Sequence, residues 1–428
     1  MIIHVVDIGE TIFSIAAKYN VPAKLIMQNN AITNPNLLTK GQALLILEPD
    51  VTYTVQSGDS IFSIAQQFGI SQNVLLQNNP QVTSQEYIYP GQSIIISYKK
   101  NSLGQYLVNG YAYPHIDTTL LNQTVPYLSL LSVFSYGFTD EGQLIPTDDR
   151  QLLASAEKYG AVPILVLTPF DESGKFSNEL VSRMLNDPTA KANLIQNLLT
   201  VMTEKGYYGV DVDFEYVLPE DKDAFIEFIS ELKMIMSAAG YKVFVALAPK
   251  TSATQQGLLY ESHDYKSIGE IADFVLLMTY EWGYAYGPPM AVAPLNSVRA
   301  VLDYAITEIP PEKIIMGIPN YGYDWTLPFL RGDDKAISIG NQAAAQMAMD
   351  LRAEILFDEP SQSPYFYYTD DMGKPHVVWF EDARSIEAKL QTASEYGFAG
   401  VGYWNLMRPF IQNWMLLSNL YDIEKFGS

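Results

Sequence analysis

From residue 104 onward, short runs rich in Val, Ile, Leu and Tyr alternate with stretches whose apolar positions recur at helical spacing. The strand-like runs fall at residues 107–113, 128–136, 162–168, 207–215, 242–247, 274–280, 314–319 and 400–404. Amphipathic segments at 148–159, 187–205, 222–239, 295–307 and 385–396 lie between them. Eight strands alternating with helices fit an α/β fold of the (β/α)8 (TIM) barrel type, whose usual length is about 250 residues before insertions. A doubly wound open sheet competes, but no Gly-rich phosphate loop follows the first strand. The surplus length sits before the last strand, where residues 365–380 read as a hairpin turning at Asp370-Asp371-Met372-Gly373. This predicts a small α+β insertion over about 320–382, walling one side of a cleft.

The first hundred residues follow a different pattern, and it repeats. Ile12-Phe-Ser-Ile-Ala16 recurs unchanged as Ile61-Phe-Ser-Ile-Ala65, Gly9 matches Gly58, and Asn29-Asn30 matches Asn78-Asn79. Gly41-Gln42 matches Gly91-Gln92 one residue later. Each unit reads as a strand, a helix capped by Thr11 or Ser60, a second helix and a closing strand, giving two βααβ modules over 1–49 and 50–98. A polar junction at 98–104 leads to the large domain, 104–428.

Charge divides along the same line. The chain carries 26 basic and 48 acidic residues for a net charge of −22, yet residues 1–100 hold five Lys against six Asp and Glu. The large domain therefore carries nearly all of the negative charge, which argues against nucleic acid and anionic membrane surfaces as its partners. With no cysteine there is no disulfide, thiolate metal site or Cys nucleophile. The N-terminus lacks the basic start and apolar run of a signal peptide, and no run reaches the roughly 18 apolar residues of a membrane span. The 29 Tyr and 5 Trp suit a carbohydrate surface and suit an ordinary core equally.

The chemistry concentrates in Asp211-Val-Asp213-Phe-Glu215. On a strand the three acids share one face, and Val210, Val212 and Phe214 share the other. Burying like charges together costs several kcal/mol and raises their pKa values, so such a row marks an active site. Glu215 ends the fourth strand, and barrel active sites lie at the C-terminal ends of strands. A salt-bridge role for the two Asp, or magnesium or calcium ligation, stays open in isolation, but no further Asp cluster supplies the remaining oxygens. The four His have no metal-ligand spacing, and neither metal nor cofactor is expected.

Two resemblances sharpen this reading. Residues 1–98 resemble a pair of LysM modules, which implies binding of N-acetylglucosamine-containing glycans through loops near Gly9, Thr11, Ile12 and Asn30, and near Gly58, Ser60, Ile61 and Asn79. The Asp-x-Asp-x-Glu row, Met278-Thr-Tyr280-Glu281-Trp282 on the sixth strand and Tyr403-Trp404-Asn405 on the eighth resemble glycoside hydrolase family 18, the chitinase-like barrels. With LysM modules ahead of the barrel, the whole chain is similar to the spore cortex-lytic peptidoglycan hydrolases, which are N-acetylglucosaminidases. That likeness implies Glu215 as general acid then base, Asp213 orienting the substrate's 2-acetamido group, and Asp211 sharing a proton with Asp213. It implies Tyr280 on the acetamido carbonyl and Trp404 under the cleaved sugar, with Met278 and Glu281 beside them. Tyr111, Tyr136, Tyr321 and Trp325 are further cleft candidates. The family often has another Asp three residues before Asp211; this chain has Tyr208, a departure that bears on the pH optimum.

The expectation is therefore a wall-directed, monomeric N-acetylglucosaminidase of the spore or cell wall, acting on peptidoglycan or cortex glycan in a role in germination. A LysM-bearing chitinase is the alternative enzyme, and a wall-binding lectin the alternative of another class, although Glu215 argues against the inactive family members.

Overall fold

The computed structural model describes residues 1–82, 88–100, 102–170, 176–332 and 334–426. Asn101 of the polar junction and the last two residues lie outside them.

Each N-terminal module closes a two-stranded antiparallel sheet around a helix pair. Ile2–Val5 pairs with Ala43–Ile46, and Pro49–Thr54 pairs with Ser93–Tyr98. The first helices, Ile12–Tyr19 and Ile61–Phe68, start at the residues the repeat marks. Thr11 and Ser60 accept the backbone N–H of Ser14 and Ser63, whose hydroxyls return the bond to the cap.

The large domain is a closed barrel of eight parallel strands: Gln105–Ala112, Leu130–Phe138, Val162–Leu167, Gly209–Val212, Lys242–Leu247, Phe274–Leu277, Ile314–Pro319 and Gly400–Trp404. Each pairs with the next, and the last returns to the first. Val166, Asp211 and Phe244 are register partners and therefore face the barrel interior together. Val210, Val212 and Phe214 face the helices and are fully buried there. The Phe214 ring stacks on Phe228, at 6.0 Å and 4°, and on Phe225 at 5.9 Å.

Two predicted strands are shorter than expected. The fourth ends at Val212 rather than at 215, and the sixth at Leu277 rather than at 280. Asp213 still donates its N–H to Leu167 O, but beyond it the backbone leaves the ladder because the neighbouring strand has ended. Between the seventh and eighth strands, Gly322–Thr326, Ile337–Ile339, Leu356–Asp358, Ser363–Thr369 and Pro375–Trp379 form a five-stranded antiparallel sheet with the helix Asn341–Leu351.

The first module docks on this insertion and on the last helices. Ile355 N–H bonds Lys40 O at 2.9 Å, Thr39 Oγ1 donates to Ala353 O at 2.7 Å, and Arg384 Nη2 donates to Gly41 O at 3.1 Å. Gln412 Nε2 donates to both Asn30 Oδ1 and Ala43 O. Gly41 has φ +82°, and a Cβ there would lie 1.8 Å from Ile355 O, so only glycine allows this approach. The second module meets the barrel where Tyr127 OH donates to Gln77 O at 2.7 Å and Gln77 Nε2 donates to Pro126 O.

Repeat symmetry supplies a controlled test of that seam. Gly91, the mate of Gly41, has φ +87° and open space around a Cβ. Gly91→Ala should cost only the left-handed backbone penalty of about 1–2 kcal/mol. Gly41→Ala should cost clearly more and expose the first module to limited proteolysis. Equal melting temperatures and digestion patterns would refute the seam.

Candidate active site

Parallel strands that end together leave their last side chains around one opening. Here that opening is a cleft of about 650 Å³, lined by Tyr111, Asp213, Glu215, Met278, Tyr280, Glu281 and Trp404 among others. Seven of the residues singled out in the sequence thus meet at one place.

Asp211 lies beneath the cleft and is buried; its Oδ2 accepts the Tyr111 hydroxyl at 2.6 Å. Asp213, one step outward, is buried as well. Neither Asp211 Oδ1 nor Asp213 Oδ1 has a hydrogen-bond partner among the described residues. Glu215 is half-buried at the cleft wall.

Burial dominates their acidity. It pushes Asp211 up to about 6, against which the Tyr111 hydrogen bond works. Asp213 rises well above the usual carboxylate range through burial and then through the charges of Glu215 and Asp211. Glu215 is raised by burial and next by the charge of Glu281. Close carboxylates that cannot all ionise hold protons together. Burial and like charge thus both favour the protonated form of Glu215, the form that general acid catalysis requires.

Glu281 faces Glu215 from the segment that follows the sixth strand, in left-handed backbone at φ 67°. Its carboxylate accepts the hydroxyls of Tyr321 and Tyr323 from the insertion, which partly oppose the rise that burial causes. Tyr280 is buried with its phenol raised by burial and by Asp213, Glu215 and Glu281. Gly317 leaves room for its ring, since a Cβ there would sit 2.7 Å from Tyr280 Cε1. Trp404 rests on Phe134 at 4.7 Å, Tyr111 at 5.7 Å and Tyr113 at 6.1 Å.

Several candidates lie elsewhere. Tyr136 is not in the cleft: its hydroxyl donates to Asp149 Oδ2 at 2.5 Å and meets Lys205 Nζ at 2.8 Å, in the layer between barrel and helices. A register irregularity between Val133 and Tyr136 breaks the alternation that would have turned it inward. Trp325 is fully buried in the insertion, donating Nε1–H to Gly287 O at 2.9 Å, and does not line the cleft. Tyr321 reaches the site only through Glu281. Tyr208 lies at the opposite end of the fourth strand, stacked on Phe426 at 5.3 Å.

In the modules, Ile12, Ile61 and Asn79 are buried in their own cores and present no groove surface. Asn79 Nδ2 donates to Leu75 O and Ile95 O while its Oδ1 accepts Ile95 N–H. Asn30 makes the same three bonds to Ile26 and Leu45, and accepts Gln412 besides. Thr11 and Ser60 are spent on helix caps. Gly9 and Gly58, at φ +83° and +91°, lie in open turns.

Sequence reasoning gave no role to Tyr216, Trp282, Tyr284, Tyr260, Thr251, Gln255 and Leu259, which also line the cleft. Tyr216 and Trp282 adjoin Glu215 and Glu281, and that adjacency was the available signal. No group of three or more His, Asp or Glu among the described residues could hold a metal ion, and no helix among them is long and apolar enough to cross a membrane.

Comparison with known proteins agrees with this geometry. Residues 172–408 match the family described as Glycosyl hydrolases family 18, and residues 4–46 and 53–97 match the LysM domain. The chain is 41% identical to the cortical fragment-lytic enzyme of Bacillus subtilis over 99% of both sequences. It superposes on the spore cortex-lytic enzyme SleL of Bacillus megaterium with a TM-score of 0.84 at 37% identity, covering 99% of each chain. The SleL of Bacillus cereus gives 0.83 at 36% identity, covering 100% of this chain and 99% of that one. A barrel with a row of buried acids at the mouth of its fourth strand, preceded by two LysM domains, thus belongs to glycoside hydrolase family 18.

Proposed function

We propose that the protein is a peptidoglycan N-acetylglucosaminidase that cuts spore-cortex glycan, or fragments of it, after N-acetylglucosamine. The observation that carries this reading is the row of acids stepping outward from Asp211 through Asp213 to Glu215 at the cleft, each with its pKa raised by burial. The likeness to cortical fragment-lytic enzymes over nearly the whole chain supports the choice of cortex glycan.

In the proposed reaction Glu215 protonates the glycosidic oxygen as the bond to the anomeric carbon breaks. The substrate's own 2-acetamido oxygen attacks that carbon, and an oxazolinium ion forms with no enzyme nucleophile, a known exception to the two-carboxylate scheme. Asp213 holds the acetamido N–H and offsets the positive charge, Tyr280 hydrogen-bonds the carbonyl, and Trp404 packs beneath the sugar. Glu215, now a carboxylate, then takes a proton from water, which opens the ring on the face the leaving group vacated. Configuration at the anomeric carbon is retained. N-acetylmuramic acid also carries a 2-acetamido group, but its lactyl ether adds bulk, so N-acetylglucosamine is assigned to the subsite over Trp404. The LysM domains bind the same glycans and keep the enzyme at the spore or cell wall.

Glu215→Gln should lower kcat about 10²–10⁴-fold with KM little changed. Mass spectrometry of cortex muropeptides should then show new N-acetylglucosamine reducing ends only in the native digest. Cleavage at native rates by the variant would remove Glu215 from the chemistry; binding without turnover by either protein would leave a lectin.

The buried acids also predict a pH-dependent cost in stability. Asp211 titrates near 6 in the folded chain, above the roughly 3.9 of an unfolded Asp, so the fold binds more protons between those values. Native stability should fall as pH rises through that window. Asp211→Asn should therefore be more stable than native above pH 6, by on the order of 1–3 kcal/mol, and gain little below pH 4. Its kcat should drop. A gain in melting temperature that is the same at both pH values would contradict this assignment.

A further inference from the structure

The general acid sits on a backbone segment that has left the strand ladder, so something other than the barrel must hold it. Glu215 follows Phe214, whose ring is locked between Phe225 and Phe228 and whose carbonyl faces the His263 imidazole, with O and Nε2 3.0 Å apart. His263 is fully buried. Its other ring nitrogen, Nδ1, lies 2.8 Å from the backbone N–H of Ala248, just past the end of the fifth strand. A backbone N–H can only donate, so Nδ1 carries a lone pair; the proton is then on Nε2, aimed at an oxygen that can only accept. Both contacts select the same neutral tautomer, and burial keeps it neutral by pushing the imidazole pKa down to about 4.

The imidazole is itself anchored. Lys250 Nζ donates to His263 O at 2.9 Å, Tyr265 OH donates to Ala248 O at 2.5 Å, and Ser262 Oγ donates to Leu218 O at 2.8 Å. The segment between Ala248 and His263 supplies Thr251, Gln255, Leu259 and Tyr260 to the cleft wall. One ring thus ties together the end of the fourth strand, the end of the fifth strand and the loop that borders the cleft.

We infer that His263 is a positioning residue for catalysis: through the Phe214 carbonyl it fixes the peptide joining Phe214 to Glu215, and so sets where the acid meets the glycosidic oxygen. The inference rests on Glu215 being that acid. Misplacing a reacting group by about 1 Å can cost on the order of 10²-fold in rate.

Two amide variants separate the two bonds. The Gln amide nitrogen stands where Nε2 stands and can still donate to Phe214 O; the Asn oxygen stands where Nδ1 stands and keeps only the Ala248 bond. On soluble N-acetylglucosamine-containing glycan fragments, His263→Gln should keep kcat within about threefold of native. His263→Asn should lose about 10–100-fold in kcat with KM within about twofold, although both variants melt at similar temperatures. Equal losses that track melting temperature, or native kcat in His263→Asn, would overturn the positioning role while Glu215→Gln still shows its loss of kcat. Native turnover by Glu215→Gln would overturn the acid and this inference together. If either variant fails to fold, imidazole ¹⁵N shifts of the native protein at pH 7 decide: an Nε2–H tautomer supports the role, and an Nδ1–H tautomer or an imidazolium refutes it.

Discussion

The structure depends on holding three carboxyl groups in a row, two of them buried and the third half-buried at the cleft. Asp211 and Asp213 are 1% and 5% exposed, each with one oxygen unpaired among the described residues. An isolated ion in such a place costs several kcal/mol, so burial shifts these groups towards their protonated forms. The barrel makes this possible, because parallel strands point successive inward side chains up one axis towards a common opening. Tyr111 gives the deepest acid one hydrogen bond, and Glu281 keeps a further carboxyl against the outermost one. The stability the site forgoes is offset by the apolar layer behind it, where Val210, Val212 and Phe214 are wholly buried on the same short segment.

The rest of the chain is arranged around that row. The insertion is more than a wall: Tyr321 and Tyr323 orient Glu281 from its first strand and the segment just before it. The same insertion takes the docking of the first LysM domain at Gly41 and Ile355, so the glycan-binding end and the site-shaping sheet share one seam.

Much of this was legible in the sequence because periodicity and spacing carry it. Alternating strands and helices gave the barrel, the 49-residue repeat gave the two modules, and the i, i+2, i+4 acids gave the site. What escaped was set by contacts between distant residues. Strand ends depend on where the neighbouring strand stops, so Glu215 lies past its strand rather than on it. Tyr111 and Tyr136 look alike in one dimension, but an irregularity after Val133 sends the second to the outer layer. Asn30 and Asn79 recur because each clamps a helix to a closing strand, which repetition alone does not distinguish from ligand binding. His263 carries no spacing signal, since its partners Phe214 and Ala248 are 49 and 15 residues away.

The central claim is that the buried acids serve a reaction in which the substrate supplies the nucleophile. Proton NMR of the first product formed from a cortex glycan fragment tests this most directly, read before the anomers equilibrate. Substrate-assisted cleavage predicts a β-anomeric N-acetylglucosamine reducing end from the native β-linkage. An initial α-anomer would mean direct attack by water with inversion and would contradict the account.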